Sequence, residues 1–317
     1  MNRTMEQLHH GLLNRSAAFA SISVAVLLIV LKGWAAWSTG STAMLGSLAD
    51  TVLDFVASLA TLTGVWIASR PADRQHRFGH GKAEAVAALL QVVLISISAA
   101  TLAIRATQQL LAGGRTAAAG EGIVVSVVAI VATVLLLAWQ RHVIGRTGSL
   151  AIATDHLHYK SDLLLNLAVI VALALDQFVG FAKADPLFGL AIAAWLGWGA
   201  WQASREAIRQ LMDVEWPEER RQAFLDVLAR HPELRGVHDL RTRTAGNRDF
   251  VQFHATVDGR MSVREAHRIM DELEARLMAQ FPGLEVLIHP DPEGDRDSDD
   301  LAAEELLPPV AERQVRR

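Results

Sequence analysis

The 317-residue sequence contains no cysteine. That absence excludes disulfides, thiolate metal sites and cysteine nucleophiles. Any metal this chain binds must be held by imidazole and carboxylate. A basic block, or a basic face interleaved with aromatics, is also missing. With a formal net charge of −4, nothing points to nucleic acid as a partner. No His-Glu-x-x-His helix and no internal repeat is present. What the sequence has in excess is apolar residues, 51% of the chain, concentrated before about residue 211.

Five or six long apolar stretches can be read: Arg15–Trp37, Thr42–Ser69, Ala83–Leu111, Gly122–Gln140, Leu150–Gln177 and Pro186–Ile208. Each comes to roughly the 20 residues that cross a bilayer core. Backbone groups in lipid must satisfy one another, so these are expected as helices. Turn signals separate them: Arg70-Pro71, Gly113-Gly114, Gly145 with Gly148, and Asp185-Pro186. The first run, Ala17–Leu31, has no small-residue cleavage pattern and leads into further apolar spans. It is read as a retained helix rather than a signal peptide. Leu150–Gln177 is the irregular case, because its first half carries Asp155, His156, His158, Lys160 and Asp162. Those polar residues recur at helical spacing and lead into Leu163–Leu175, so a helix is expected.

Arg70, Arg74, Arg77 and Lys82 separate spans two and three. Arg141 and Arg146 follow span four, and Arg205 and Arg209 end span six. The opposite loops hold chiefly Arg115 and Lys183. The positive-inside rule then places both termini in the cytoplasm, with the chain multi-pass in a membrane. From Pro217 the pattern turns soluble. Glu218–Ala229 reads as an amphipathic helix. Val237–Thr244 and Phe250–Val257 alternate like strands, with Gly246-Asn247 between them. Ser262–Phe281 reads as a helix opened by a Ser262/Glu265 capping box, and Leu284–Ile288 as a last strand. The expected fold is thus an α-helical membrane protein of six transmembrane helices followed by a small α-β-β-α-β domain. The divisions fall at 1–14, 15–211, 212–292 and an acidic tail, 293–317, of disordered composition.

Two carboxylates, Asp50 and Asp54, lie in the second span four residues apart and so on one face. Charges at membrane depth are unfavourable and mark function, and two acids on one face repel unless a cation or protons lie between them. His158 and Asp162 repeat the spacing in the fifth span. If the two faces meet, three aspartates and one histidine make the four-ligand N/O set that zinc accepts. Asp155, three residues before His158, and His156 compete for a place at the entrance or behind the ligands. The loop after span two carries Asp73, His76 and His80, either a three-ligand surface site or an ordinary solvated loop. His238, His254, His267 and His289 lie in the soluble part, as surface imidazoles or metal ligands. Asp291 beside His289 favours the second reading, since a carboxylate can bridge two ions.

At these residues the chain resembles the cation diffusion facilitator family, and within it the bacterial zinc and ferrous-iron efflux members. The resemblance covers roughly residues 10–292. It rests on Asp50/Asp54 with His158/Asp162, on the segment Phe78-Gly79-His80-Gly81-Lys82-Ala83-Glu84, and on the soluble α+β domain. It implies a homodimeric transporter with a transport site at Asp50, Asp54, His158 and Asp162 and a loop site at Asp73, His76 and His80. It also implies a metallochaperone-like cytoplasmic domain for metal binding and dimerisation. There His238, His254, His267, His289 and Asp291 would form a binuclear site bridged by Asp291. Lys82 and Asp213 match a charge interlock near the dimer interface. Pro290, between His289 and Asp291, departs from the polar residue that relatives often carry there, which puts one weak ligand in doubt.

Ligands must lose protons to hold metal, so binding expels protons and protonation expels metal. With alternating access this becomes proton antiport, with His158 a natural carrier. The expected function is efflux of zinc, with cadmium, ferrous iron, cobalt and manganese open. Zinc would be both substrate and regulatory ligand, without an organic cofactor. An intramembrane metalloenzyme is disfavoured, since a closed four-ligand site leaves no position for substrate water. A membrane-bound metal sensor or scaffold is the alternative.

Overall fold

The computed structural model describes residues 3–39, 42–112, 123–181, 183–246, 248–281 and 283–294. Six long helices come first: α1 (Arg3–Thr39), α2 (Thr42–Ala68), α3 (Ala83–Leu111), α4 (Ile123–Thr147), α5 (Leu150–Val179) and α6 (Ala184–Leu211). After them come α7 (Glu218–Leu228), β1 (Gly236–Ala245), β2 (Arg248–Val257), α8 (Val263–Gln280) and β3 (Leu284–Pro292). The chain divides into two compact units, one of them Leu8–Ile208, the other containing α7, α8 and the three strands.

In the helical unit many of the buried side chains are small. Ala17 and Ala18 of α1, Val65 of α2, Ala87 of α3, Val143 of α4, and Ala151 and Ile152 of α5 form one cluster. Val92, Ile95 and Ala99 of α3 meet Leu196 and Ala200 of α6 in another. Small residues let helix backbones approach, which is how helices associate where the surroundings are as apolar as the side chains. The large apolar side chains point outward instead: Val30, Trp34, Leu135, Trp198 and Trp201 are all exposed. Such a surface suits a bilayer rather than water. Among the described residues four segments are long and apolar enough to cross a membrane: His10–Ser38, Asp50–Ala68, Ala83–Leu111 and Val127–Thr147. The expectation was six. Helices α5 and α6 are as long, but α5 is interrupted by Asp155, His158, Lys160 and Asp162, and α6 carries Arg205, Glu206 and Arg209 in its last turns.

Two helices outrun their apolar runs. α1 begins at Arg3, well before Arg15, and α4 continues past Gln140 to Thr147, where Gly148 at φ 62° ends it. The polar start of α5 is helical throughout.

Helices α2 and α3 touch at Gly64. A Cβ there would collide with the Cβ of Ala87 and lie 3.1 Å from the Ala83 carbonyl oxygen. Gly64→Ala is therefore expected to destabilise the helical unit by about 1–3 kcal/mol, the range for overpacking. Gly145 in α4 has nothing within 4 Å of such a Cβ. Gly145→Ala should instead gain roughly 0.5–1 kcal/mol from helix propensity. Thermal unfolding of both variants in detergent checks the pair, and a stable Gly64→Ala would remove the close approach.

The smaller unit is a three-stranded sheet of order β1-β2-β3 with α7 and α8 packed on it. β1 and β2 are antiparallel, and β3 runs parallel to β2. Its core joins Phe224, Leu225 and Leu228 of α7, Val251, Phe253 and Ala255 of β2, and Ile269, Leu273 and Leu277 of α8. Ser262 caps α8 reciprocally with Glu265, as their spacing leads one to expect. The β1–β2 register shifts between His238 and Arg241, where Asp239 adopts φ 48°. β3 runs beyond Ile288 to Pro292, and Pro290 is tolerated because β3 is an edge strand. Asn247 of the expected turn, and the acidic tail beyond Gly294, lie outside the described residues.

Candidate metal centres

The structure brings Asp54 of α2 together with His158 and Asp162 of α5, one ligand atom of each lying within 4.8 Å of the others. His158 Nε2 is 2.9 Å from Asp54 Oδ1 and 4.0 Å from Asp162 Oδ2. The histidine is buried and both acids are partly buried. Asp50, one helical turn before Asp54, is exposed and stands outside this group. Beside it, Lys32 of α1 donates to Thr51 Oγ1 at 2.7 Å, bringing a cation close to the acidic face of α2.

Asp155 shares a helix with His158 but meets other partners. It is wholly buried and turned to α1, α3 and α4. Its Oδ2 accepts from Ser21 Oγ at 2.6 Å and Gln140 Nε2 at 2.7 Å, and its Oδ1 from Gln91 Nε2 at 2.9 Å. Tyr159, the sequence's single tyrosine, adds a bond between its hydroxyl and Ser58 Oγ at 2.9 Å. Glu84 is a second buried polar junction, accepting from Asn14 of α1 and from Ser149, just before α5. His156 is partly buried and lies outside the metal-ligating groups.

The loop before α3 does fold into a compact site. Asp73 Oδ1 lies 3.4 Å from His76 Nδ1 and Oδ2 lies 3.4 Å from His80 Nε2, and the two imidazole rings are 4.4 Å apart. The backbone amides of His76 and Gln75 donate to Asp73 Oδ1 at 2.7 and 2.8 Å. Those bonds favour the ionised carboxylate and hold Asp73 below its ordinary range. Gly79, at φ 82°, turns the chain so that His80 comes back to Asp73.

On the sheet, register does the assembling. His238 pairs with His254 across β1–β2, and His254 pairs with His289 across β2–β3, so three imidazoles stand in a row. Asp291, two residues along the same face from His289, reaches all three. Its Oδ2 lies 2.8 Å from His254 Nδ1 and 3.2 Å from His238 Nε2, and its Oδ1 is 3.1 Å from His289 Nε2. His267 is not brought to this group; it is exposed on α8 and pairs with Asp271 at 3.1 Å. α8 packs on the face of β2 that carries Val251, Phe253 and Ala255, and His254 alternates to the opposite face. Asp213 pairs with Arg243 at 3.6 Å within the smaller unit, and Lys82 belongs to the helical unit, immediately before α3.

A cation efflux transmembrane domain matches residues 18–212, and a cation efflux protein cytoplasmic domain matches residues 216–293. The chain belongs to the cation diffusion facilitator family. It is 42% identical over 283 residues to the cation-efflux pump FieF of Cronobacter sakazakii, an overlap of 89% of this chain and 94% of the relative. Identity to FieF of Escherichia coli is 40% over 283 residues, with the same coverage. Among solved structures, the metal-bound C-terminal domain of the CzcD transporter from Thermotoga maritima is 27% identical. It covers 26% of this chain and 100% of that one, at a TM-score of 0.25.

Membership in the cation diffusion facilitator family fixes the broad assignment: a multi-pass cation efflux protein of the membrane with a cytoplasmic α+β domain. Ser21, Gln91, Gln140, Asn14 and Ser149 gave no signal in the sequence. Each is a single neutral polar residue in or beside an apolar run, and only tertiary contact shows what it does.

Proposed function

We propose that this chain exports a divalent metal ion, zinc foremost, from the cytoplasm in exchange for protons. The observation that carries the reading is the Asp54, His158 and Asp162 cluster, assembled from two helices inside an apolar bundle. A lone imidazole among carboxylates suits a borderline ion such as zinc, and also cadmium or ferrous iron. Asp50, a turn away on α2, supplies the fourth ligand when the ion draws the two acids together. All three carboxylates and His158 must be unprotonated to hold the ion, so loading releases protons and outside acid releases metal. Alternating exposure of the site to the two sides then couples the flows.

In this reading all six long helices cross the inner membrane, both termini are cytoplasmic, and residues 15–211 form the transport domain. Residues 212–292 dimerise two chains and hold regulatory zinc on His238, His254, His289 and Asp291. The donor set fits: three imidazoles converge on one carboxylate that can serve two ions. His267 would join a second ion of that centre only by a change of side-chain partner. Asp73, His76 and His80 form a cytoplasmic loop site, and Lys82 and Asp213 serve as the charge interlock near the dimer interface.

The test is flux in proteoliposomes with an acidic lumen, following metal entry and lumenal pH together over zinc, cadmium, ferrous iron, cobalt and manganese. Zinc should enter fastest and the lumen should become alkaline as it does. Zinc entry without proton exit refutes the antiport, and absence of flux for every ion refutes transport.

A further inference from the structure

A fourth group of metal-ligating side chains lies in the smaller unit, away from the sheet histidines. His231, in the turn between α7 and β1, meets Glu233 of the same turn and Glu272 of α8. One ligand atom from each lies within 4.8 Å of the others. His231 is 2% exposed, yet neither of its ring nitrogens has a hydrogen-bond partner. A neutral imidazole has one donor and one acceptor, and burying both unpaired is unfavourable enough to be rare. The ring is also aimed: Nε2 faces Glu272 Oε2 at 3.6 Å.

The two carboxylates are held from the other side by Arg268, one turn before Glu272 on α8. Its Nη1 donates to Glu272 Oε1 at 2.7 Å, and its Nη2 donates to Glu233 Oε1 and Oε2 at 2.9 and 3.2 Å. Glu272 thus gives one oxygen to the arginine and turns the other toward His231. Its carboxyl is held below the ordinary range, chiefly by the Arg268 bond, so it is a charged ligand. One guanidinium against two carboxylates leaves the group net negative. Arg268 is half exposed and can swing into solvent, whereas His231 is fixed by its burial.

We propose that His231, Glu233 and Glu272 form a further cytoplasmic binding site for a borderline divalent cation such as zinc, with Arg268 as a built-in competitor for the two carboxylates. One nitrogen and two oxygens make three of the four ligands zinc prefers and leave a position for water. The competitor weakens the site, so it fills only when cytoplasmic metal is high. An ion here ties the α7–β1 turn to α8. β1 carries His238, so the ion braces the strand on which the sheet centre depends. The assignment does not rest on the transport reading, because it concerns binding alone.

The experiment uses the full chain in detergent, carrying Asp54→Ala, Asp73→Ala and the pair His254→Ala/Asp291→Ala to silence the other three centres. Zinc is measured by equilibrium dialysis, and cobalt by its visible absorption. One zinc per chain should remain. Adding Glu272→Gln should weaken it about tenfold or more, and adding Arg268→Ala should tighten it by a similar factor, within the range that partners of ligating groups command. Adding His231→Phe should abolish the cobalt band. His231 is buried and its replacement can disturb folding, so the two partly exposed α8 positions keep the test decisive. Zinc binding that ignores both Glu272→Gln and Arg268→Ala, or no binding in the silenced chain, overturns the site and leaves an arginine-bridged ion network.

Discussion

Zinc flux should fall by more than roughly a hundredfold when Asp54 is replaced by alanine, since loss even of a ligand's supporting partner commonly costs 10–100-fold in affinity or activity. Asp54 is the group closest to His158, at 2.9 Å, and it is the α2 contribution to a cluster otherwise carried by α5. Without it His158 and Asp162 keep only the exposed Asp50 as an α2 partner, one ligand short of the set zinc prefers. The fold should survive. Asp54 is partly exposed, and removing it leaves no buried donor without a partner except His158, which can turn to Asp162. Metal-dependent uptake in proteoliposomes, beside melting in detergent, checks both halves. Flux within a few-fold of the parent would end the assignment of this cluster as the transport site. Asp50→Ala is the companion variant: equal loss of flux would show that the exposed acid joins the three others on loading.

The cluster of Asp54, His158 and Asp162 was legible because its signal is local. Two i, i+4 pairs of ligating residues in apolar helices are conspicuous, and helical geometry alone puts the members of each pair on one side. What the pattern left open was which neighbouring acid belongs. Asp155 lies three residues before His158 and seven before Asp162, about 60° and 20° away round the helix, so direction alone hardly separates it from the cluster; about 10 Å of rise along α5 separates it from Asp162. At its own level of α5 Asp155 meets Ser21, Gln91 and Gln140, while His158 faces Asp54. The sheet centre was legible only as a set of residue types. Its assembly needs the irregular β1–β2 register at Asp239 and the parallel pairing of β3, neither of which an alternating apolar pattern specifies. His231 gave no signal, because its partners come from a turn and from a distant helix.

Two turns of α5 separate two kinds of acid, and Asp155 should prove the structural one. Asp155→Ala is expected to destabilise the helical unit by about 2–4 kcal/mol, since buried amides that lose an acceptor cost about 1–3 kcal/mol each. At roughly 2–4 °C per kcal/mol for a unit of this size, melting in detergent should drop by about 10 °C. The reason lies in what the substitution leaves behind. The carboxylate joins α5 to α1 through Ser21, to α3 through Gln91 and to α4 through Gln140, with every donor buried. Removing it strands two amide groups in an apolar interior, where no water can replace the lost acceptor. Gln91 retains Thr61 and Gln140 retains Ser21, so the junction loosens without vanishing. Asp155→Asn should fall between, because it keeps one acceptor oxygen and turns an amide donor toward other donors. Asp162→Ala, one helical turn past His158, should do the opposite: melting close to the parent, and flux lost. If Asp155→Ala melts like the parent and only transport suffers, Asp155 belongs with the ligands and the separation drawn along α5 is wrong.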